Sequence, residues 1–274
     1  MGAQTSSALV PQEHFPPAIH TRFLRHRAVT LRLQRGFWSH AEPEPIEIRD
    51  VHTNLVMFRV PPSARTPLGR RRQRLLDMYN VPVATLLVVP QTYGRHHNAY
   101  VVTAPSTATA STVASSPQPH EELVLCQLVS DDDASGNSTS DVVRCVELPD
   151  PTTNELATIS CHGHWRAHDA TFWLQRAPFA SKELIARVHS EDDRSNSNSS
   201  SNGGTYLLEI APGVDVALLL LICAALDEEE RSAMAMQPES SSSQQQQQQL
   251  RLRHERAQSS RRAPSDCPRI AVPA

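Results

Sequence analysis

Ala211-Pro-Gly-Val-Asp-Val-Ala-Leu-Leu-Leu-Leu-Ile-Cys-Ala-Ala-Leu-Asp227 decides the fold; it follows the strand-like Thr205-Tyr-Leu-Leu-Glu-Ile210 and runs into Glu228-Glu-Glu230. From Val216 to Leu226 every residue is apolar, so a helix here is hydrophobic on all faces and needs protein or lipid around it. A bilayer takes about 20 apolar residues, and this run of roughly 11 is too short to span one. The pattern therefore predicts a core helix enclosed by the rest of the chain. Its burial supplies at most on the order of 15 to 20 kcal/mol, an upper bound because unfolded chains are already partly compact.

Upstream of the helix the period changes to two. Val29, Leu31 and Leu33 alternate with Thr30, Arg32 and Gln34, the pattern of a half-buried strand. Comparable segments recur at Ile46–Asp50, Leu55–Val60, Gln73–Asp77, Val83–Val89, Asn98–Thr103 and Glu122–Val129. They continue at Val142–Leu148, Leu156–Cys161, Ala170–Gln175, Glu183–Val188 and Thr205–Ile210. Turn residues such as His52-Thr-Asn54 and Asp150-Pro-Thr-Thr-Asn154 separate them.

Many short strands before one helix suggest a sandwich or a barrel. A sandwich core is only about 10 Å thick and is filled by its own side chains. The expected fold is therefore mainly β, a closed antiparallel β-barrel of about twelve strands around a central hydrophobic C-terminal helix.

Residues 1–23 carry little periodicity and read as a flexible leader, residues 24–236 as the barrel domain, and residues 237–274 as a disordered Ser/Gln/Arg-rich tail. Three polar insertions, Pro105–Pro119, Ser130–Ser140 and Ser190–Gly204, read as disordered loops because none holds enough apolar area to fold. The chain has 274 residues, 39% of them hydrophobic, and a formal net charge of −3, which selects no class of partner. Its five cysteines, Cys126, Cys145, Cys161, Cys223 and Cys267, show no Cys-x-x-Cys spacing, which argues against a zinc ribbon or redox pair. Reduced thiols and an N-terminus without the apolar core of a secretory signal point to a cytoplasmic protein, peripheral at most on the inner face of the plasma membrane.

Several of these segments resemble the LURP-one-related family of the tubby-like superfamily. Ile48-Arg-Asp50 with Leu55-Val-Met-Phe-Arg-Val60 is similar to its N-terminal strand pair. Leu75-Leu-Asp-Met-Tyr-Asn-Val-Pro-Val-Ala-Thr-Leu86 resembles its leucine, aspartate, turn, proline and hydrophobic-strand hairpin. The most specific match is Tyr206-Leu-Leu-Glu-Ile-Ala-Pro-Gly-Val-Asp-Val-Ala-Leu218, running on to Leu226-Asp-Glu228. The resemblance covers residues 24–236 and departs from the family at His52-Thr-Asn54, where a Gly-Asn turn is usual, and in the longer polar insertions. It implies a twelve-stranded barrel around a C-terminal helix, similar in fold to phospholipid scramblases. It also implies kinship with tubby proteins, which bind phosphoinositide head groups, and with proteins linked to plant defence. A shared fold does not by itself transfer function.

No nucleophile elbow, phosphate-binding loop, dinucleotide fingerprint or His-Glu-x-x-His motif is present, so no enzyme and no cofactor is expected. Asp50, Asp77 and Asp215 read as turn or helix-start residues. The candidate contacts for anionic phospholipids or phosphoinositides are Arg65, Arg70, Arg71, Arg72 and Arg74, because guanidinium forks grip phosphate oxygens bidentately. Arg22, Arg25, His26 and Arg27 of the leader can add to the same face. Gly2, in Met1-Gly-Ala-Gln-Thr-Ser6, fits the myristoylation pattern and would supply a lipid anchor. His162 and His164 are a weak metal alternative: a strand would point both to one side, but no third ligand is apparent and Gly163 reads as a bulge. The tail arginines Arg251, Arg253, Arg256, Arg261 and Arg262 come without an aromatic platform, which argues against nucleic acid. The expected function is a non-enzymatic membrane-docking adaptor in intracellular signalling. The alternative is a soluble protein-interaction scaffold in stress or defence responses, recruiting partners through its loops and tail.

Overall fold

Alternating segments become strands and the apolar run becomes a helix in the computed structural model. It describes residues 8–16, 18–39, 43–65, 71–89, 99–105, 122–128, 142–150, 152, 155–191 and 204–236. The strands are β1 (Val29–Gln34), β2 (Ile46–Asp50), β3 (Val56–Val60), β4 (Ala64–Arg65), β5 (Arg71–Asp77), β6 (Pro82–Val89) and β7 (Ala99–Pro105). They are followed by β8 (Glu122–Leu128), β9 (Val142–Pro149), β10 (Leu156–His164), β11 (Asp169–Gln175), β12 (Glu183–Ser190), β13 (Thr205–Ile210) and the helix α1 (Val216–Met236). The chain divides into two compact units, Met1–Glu230 and Arg231–Ala274; of the second, the described residues are the end of α1. Gly2, Arg70, most of the polar insertions and the tail lie outside the described residues.

All thirteen described strands join one antiparallel sheet in the order β3-β2-β1-β13-β12-β11-β10-β9-β8-β7-β6-β5-β4. β3 also pairs with β5, through Phe58↔Asp77 and Arg59↔Leu76. The ladder is thinnest between β8 and β9, where the pairing is Leu128↔Val146. Leu31, Phe58, Leu75, Leu86, Val102, Ile159, Phe172, Leu174 and Leu208 are buried in the core against α1. Val216 to Ala225 is buried at every position, as an all-apolar helix requires. α1 continues ten residues past the apolar run, through Asp227-Glu-Glu-Glu230, since glutamate is a good helix former.

Three aspartates do the local work assigned to them. The Asp50 carboxylate accepts hydrogen bonds from His52 N (3.0 Å) and Thr53 Oγ1 (2.9 Å), and Asp77 Oδ1 accepts from Tyr79 N and Val81 N, both 2.9 Å. Each turn also holds an asparagine with positive φ, Asn54 (55°) and Asn80 (64°), a conformation this residue type tolerates. Asp215 Oδ1 caps α1 by accepting from Ala217 N and Leu218 N, both 3.1 Å.

Within the segment 1–23, several of the described residues are tied to the sheet and to α1. Val10 N donates to Leu184 O (2.9 Å), Gln12 N to Pro212 O (2.8 Å) and Ile19 N to Asp215 Oδ2 (2.9 Å). Phe15 and Phe23 are buried in the core. Apolar residues without helical or strand spacing are silent to periodicity, yet they bury as well as any other. The chain crosses so closely over Gly213 (φ 82°) that a Cβ there would lie 1.7 Å from Gln12 O, so only glycine fits. Arg176 completes the clasp: Nη2 donates to Gln12 Oε1 (2.7 Å) and Nη1 to Asp150 Oδ2 (2.8 Å). Burial alone would raise the Asp150 carboxyl, but bonds from Thr152 and Arg176 hold it down at about 2.

Candidate anion-binding surface

Strand pairing sets two of the arginine positions near β5 opposite each other. β4 runs antiparallel to β5 with Ala64 opposite Arg72 and Arg65 opposite Arg71. Along β5 the side chains alternate: Gln73 and Leu75 are buried, Arg72 is half-buried and Arg74 exposed. Gln73 Nε2 donates to Pro61 O, which anchors the approach to β4. On the β6 side Arg72 is opposite Leu87 and Arg74 opposite Thr85. Arg74 has no ion-pair partner among the described residues. This edge can do what guanidinium groups do well, which is to bind phosphate or carboxylate oxygens in pairs.

The histidines are differently occupied. His162 Nε2 lies 3.0 Å from Ser160 Oγ and 3.5 Å from Lys182 Nζ, and its ring packs against Trp173. Burial lowers its pKa, and the Lys182 ammonium lowers it further. His164 is exposed at the end of β10. Gly163 pairs regularly with Ala170, and the irregularity in β10 falls between Ile159 and Ser160 instead. What requires glycine at 163 is a close approach: φ is 111° and a Cβ would lie 2.5 Å from Asp169 O. Among the described residues no group of three His, Cys, Asp or Glu side chains is placed to hold a metal.

A polar cluster where the apolar run of α1 ends escaped the sequence reading. Asp227 Oδ1 accepts from Trp165 Nε1 (3.1 Å) and Oδ2 from Tyr206 OH (3.2 Å), while the Tyr206 ring stacks on His168 at 4.2 Å. Burial pushes Asp227 up to about 7 against the pull of those two donors. Tyr206 is pushed well above its ordinary value by burial and by Asp227. Beside them Arg35 Nη2 donates to Glu230 Oε1 (2.6 Å) and Tyr100 OH to Glu229 Oε2 (2.7 Å). The available signal was the acidic run Asp227-Glu-Glu-Glu230 following directly on the apolar residues. The cluster ties the middle of α1 to the sheet and offers no activated nucleophile. Cys161 is equally inert, its thiol pushed up to about 12 by burial.

No helix is long and apolar enough to cross a membrane among the described residues. Neither a curated protein nor a solved structure matches the chain. The LURP-one-related family model matches residues 29–227, from the first residue of β1 to the buried aspartate of α1. One antiparallel sheet around an apolar C-terminal helix fills that span, and the chain belongs to the LURP-one-related family.

Proposed function

We propose that this chain is a non-enzymatic module that docks on membranes by binding anionic lipid head groups, built on a barrel closed around α1. Closure is supported by the β3–β5 ladder and by the burial of every residue from Val216 to Ala225 of α1. The observation that carries the docking reading is the register of β4 on β5, which sets Arg65 opposite Arg71 and leads into Arg72 and the exposed Arg74. Each basic residue near an anionic leaflet contributes about 1 kcal/mol, so four or five together bind usefully where one does not. A myristoyl chain on Gly2 would supply a second, independent anchor.

The test is flotation of the full chain, with and without co-translational myristoylation, on vesicles containing phosphatidylserine or phosphoinositide. Charge reversal by Arg71→Glu with Arg74→Glu should lower binding at least tenfold. Arg74→Glu alone, on the outward face, should change unfolding stability by less than about 0.5 kcal/mol. The Gly2→Ala form isolates the contribution of the anchor. Undiminished binding of the charge-reversed protein would remove the arginines from the role. Absence of binding in every form would favour the protein-interaction scaffold.

A further inference from the structure

Of the large apolar side chains exposed among the described residues, all but Val124 lie at the end of the sheet where α1 begins. The densest group is Val51 and Leu55 in the β2–β3 turn with Met78, Tyr79 and Val81 in the β5–β6 turn. Leu55 is 58% exposed and Tyr79 75%. The two turns are neighbours because Phe58 on β3 pairs with Asp77 on β5, and Arg59 Nη1 bridges to Asn80 Oδ1 at 3.0 Å. Their carboxylates face inward: Asp50 and Asp77 are buried on their own turns. Glu47, the next acid along β2, is held by Arg49 and Arg59. The exposed charges beside the turns are Arg22, Arg25 and Arg27. Arg22 lies 3.5 Å from Asp77 Oδ2 and Arg27 4.0 Å from Asp50 Oδ2, both with much of the side chain in solvent.

We infer that the β2–β3 and β5–β6 turns insert their apolar side chains into the head-group boundary of an anionic bilayer, with Arg22, Arg25 and Arg27 on the phosphates. The inference rests on the membrane-docking reading above and adds which end of the molecule faces the lipid. These side chains stand on two turns and β3 is paired on both sides, whereas a docked peptide strand needs a free edge. A bilayer boundary accepts apolar side chains to a depth of about 5–10 Å beside cations on the head groups, and tyrosine suits that layer. Turn backbone entering it must have its polar groups satisfied. Here His52 N, Tyr79 N and Val81 N are already bonded to carboxylates, and Asn54 N and Asn80 N to backbone oxygens. β5 links the two sets of contacts, since Arg74 precedes Tyr79 by about 16 Å of strand at roughly 3.3 Å per residue. A barrel tilted onto its β3–β5 flank brings both to the same surface.

The experiment compares the full chain with Leu55→Ser/Met78→Ser/Tyr79→Ser on vesicles of phosphatidylcholine with and without phosphatidylserine, after thermal unfolding confirms that the variant is folded. The wild type should float with the phosphatidylserine vesicles and the triple variant at least tenfold less. Tyr79→Trp should gain fluorescence quenching from brominated acyl chains relative to the wild type. If wild type and triple variant float equally and Tyr79→Trp gains no quenching, head-group binding stands and tip insertion falls. If the wild type floats with no vesicle, both readings fall, and the turns belong to a protein partner.

Discussion

The two ends of the sheet handle acid in opposite ways. Where α1 begins, the carboxylates turn inward: Asp50 and Asp77 close their turns, Asp215 caps the helix and Asp150 grips Arg176. Exposed at and beside the β2–β3 and β5–β6 turns remain apolar side chains and the arginines Arg22, Arg25 and Arg27. Where the apolar run of α1 ends, carboxylates meet side-chain donors instead, with Asp227 bonded to Trp165 and Tyr206, Glu229 to Tyr100 and Glu230 to Arg35. One helix therefore starts on a carboxylate that satisfies backbone donors and closes its apolar run on carboxylates that satisfy side-chain donors. The same residue type serves both ends because a buried oxygen needs only a donor, whatever element supplies it.

Between the ends α1 has no polar partner to offer, and the largest effect is expected there. Leu220→Asp would bury an unpaired charge among apolar side chains and should abolish cooperative unfolding, read by near-ultraviolet circular dichroism and calorimetry. A folded variant would break the enclosed-helix architecture that both ends depend on.

The next effect separates the ends by pH. In the folded protein burial pushes the Asp227 carboxyl up to about 7, from an ordinary aspartate value of 3.8. The folded state therefore holds that proton more tightly. The stability it confers is complete below about pH 4 and is lost as pH rises through 7, by on the order of 4 kcal/mol in all. Asp227→Asn should flatten this part of the profile, so chemical unfolding of both proteins from pH 4 to 8 should show the difference closing as pH falls. Parallel profiles would show that Asp227 keeps an ordinary pKa. Asp150 has the opposite sign: its folded value of about 2 supplies stability above pH 4 that is lost as pH drops toward 2.

Smallest of the three is Asp215→Ala. It removes the cap from α1 and an acceptor from Ile19 N, at a cost of roughly 2 to 3 kcal/mol. Hydrogen exchange should show faster opening of the leader and the first turn of α1, while the Asp227 end stays protected. Equal loosening at both ends would mean that the helix responds as one rigid unit.

Much of this fold could be read in advance, for identifiable reasons. Strands such as Val29–Gln34 and Thr205–Ile210 have one face in the core, so burial imposes a period of two on their residues. The two-residue β4 is too short for a pattern. The leader docks through scattered residues such as Phe15 and Phe23, and nothing local distinguishes those from exposed ones. Gly163 and Gly213 could be recognised as special but not explained, because the atoms that exclude a Cβ, Asp169 O and Gln12 O, belong to other segments. Of the candidate site, the arginine cluster was visible as composition; the pairing of Arg65 with Arg71 was not, since register depends on partner strands.

By itself the sequence determined that this protein is a set of half-buried strands around a fully apolar helix, because period and composition are local properties of a chain. The tertiary structure alone decided which end of the sheet is apolar and which is acidic. It did so by pairing β3 with β5 and by folding Asp50, Asp77 and Asp215 inward, since burial and neighbouring charge are set by segments far apart in sequence.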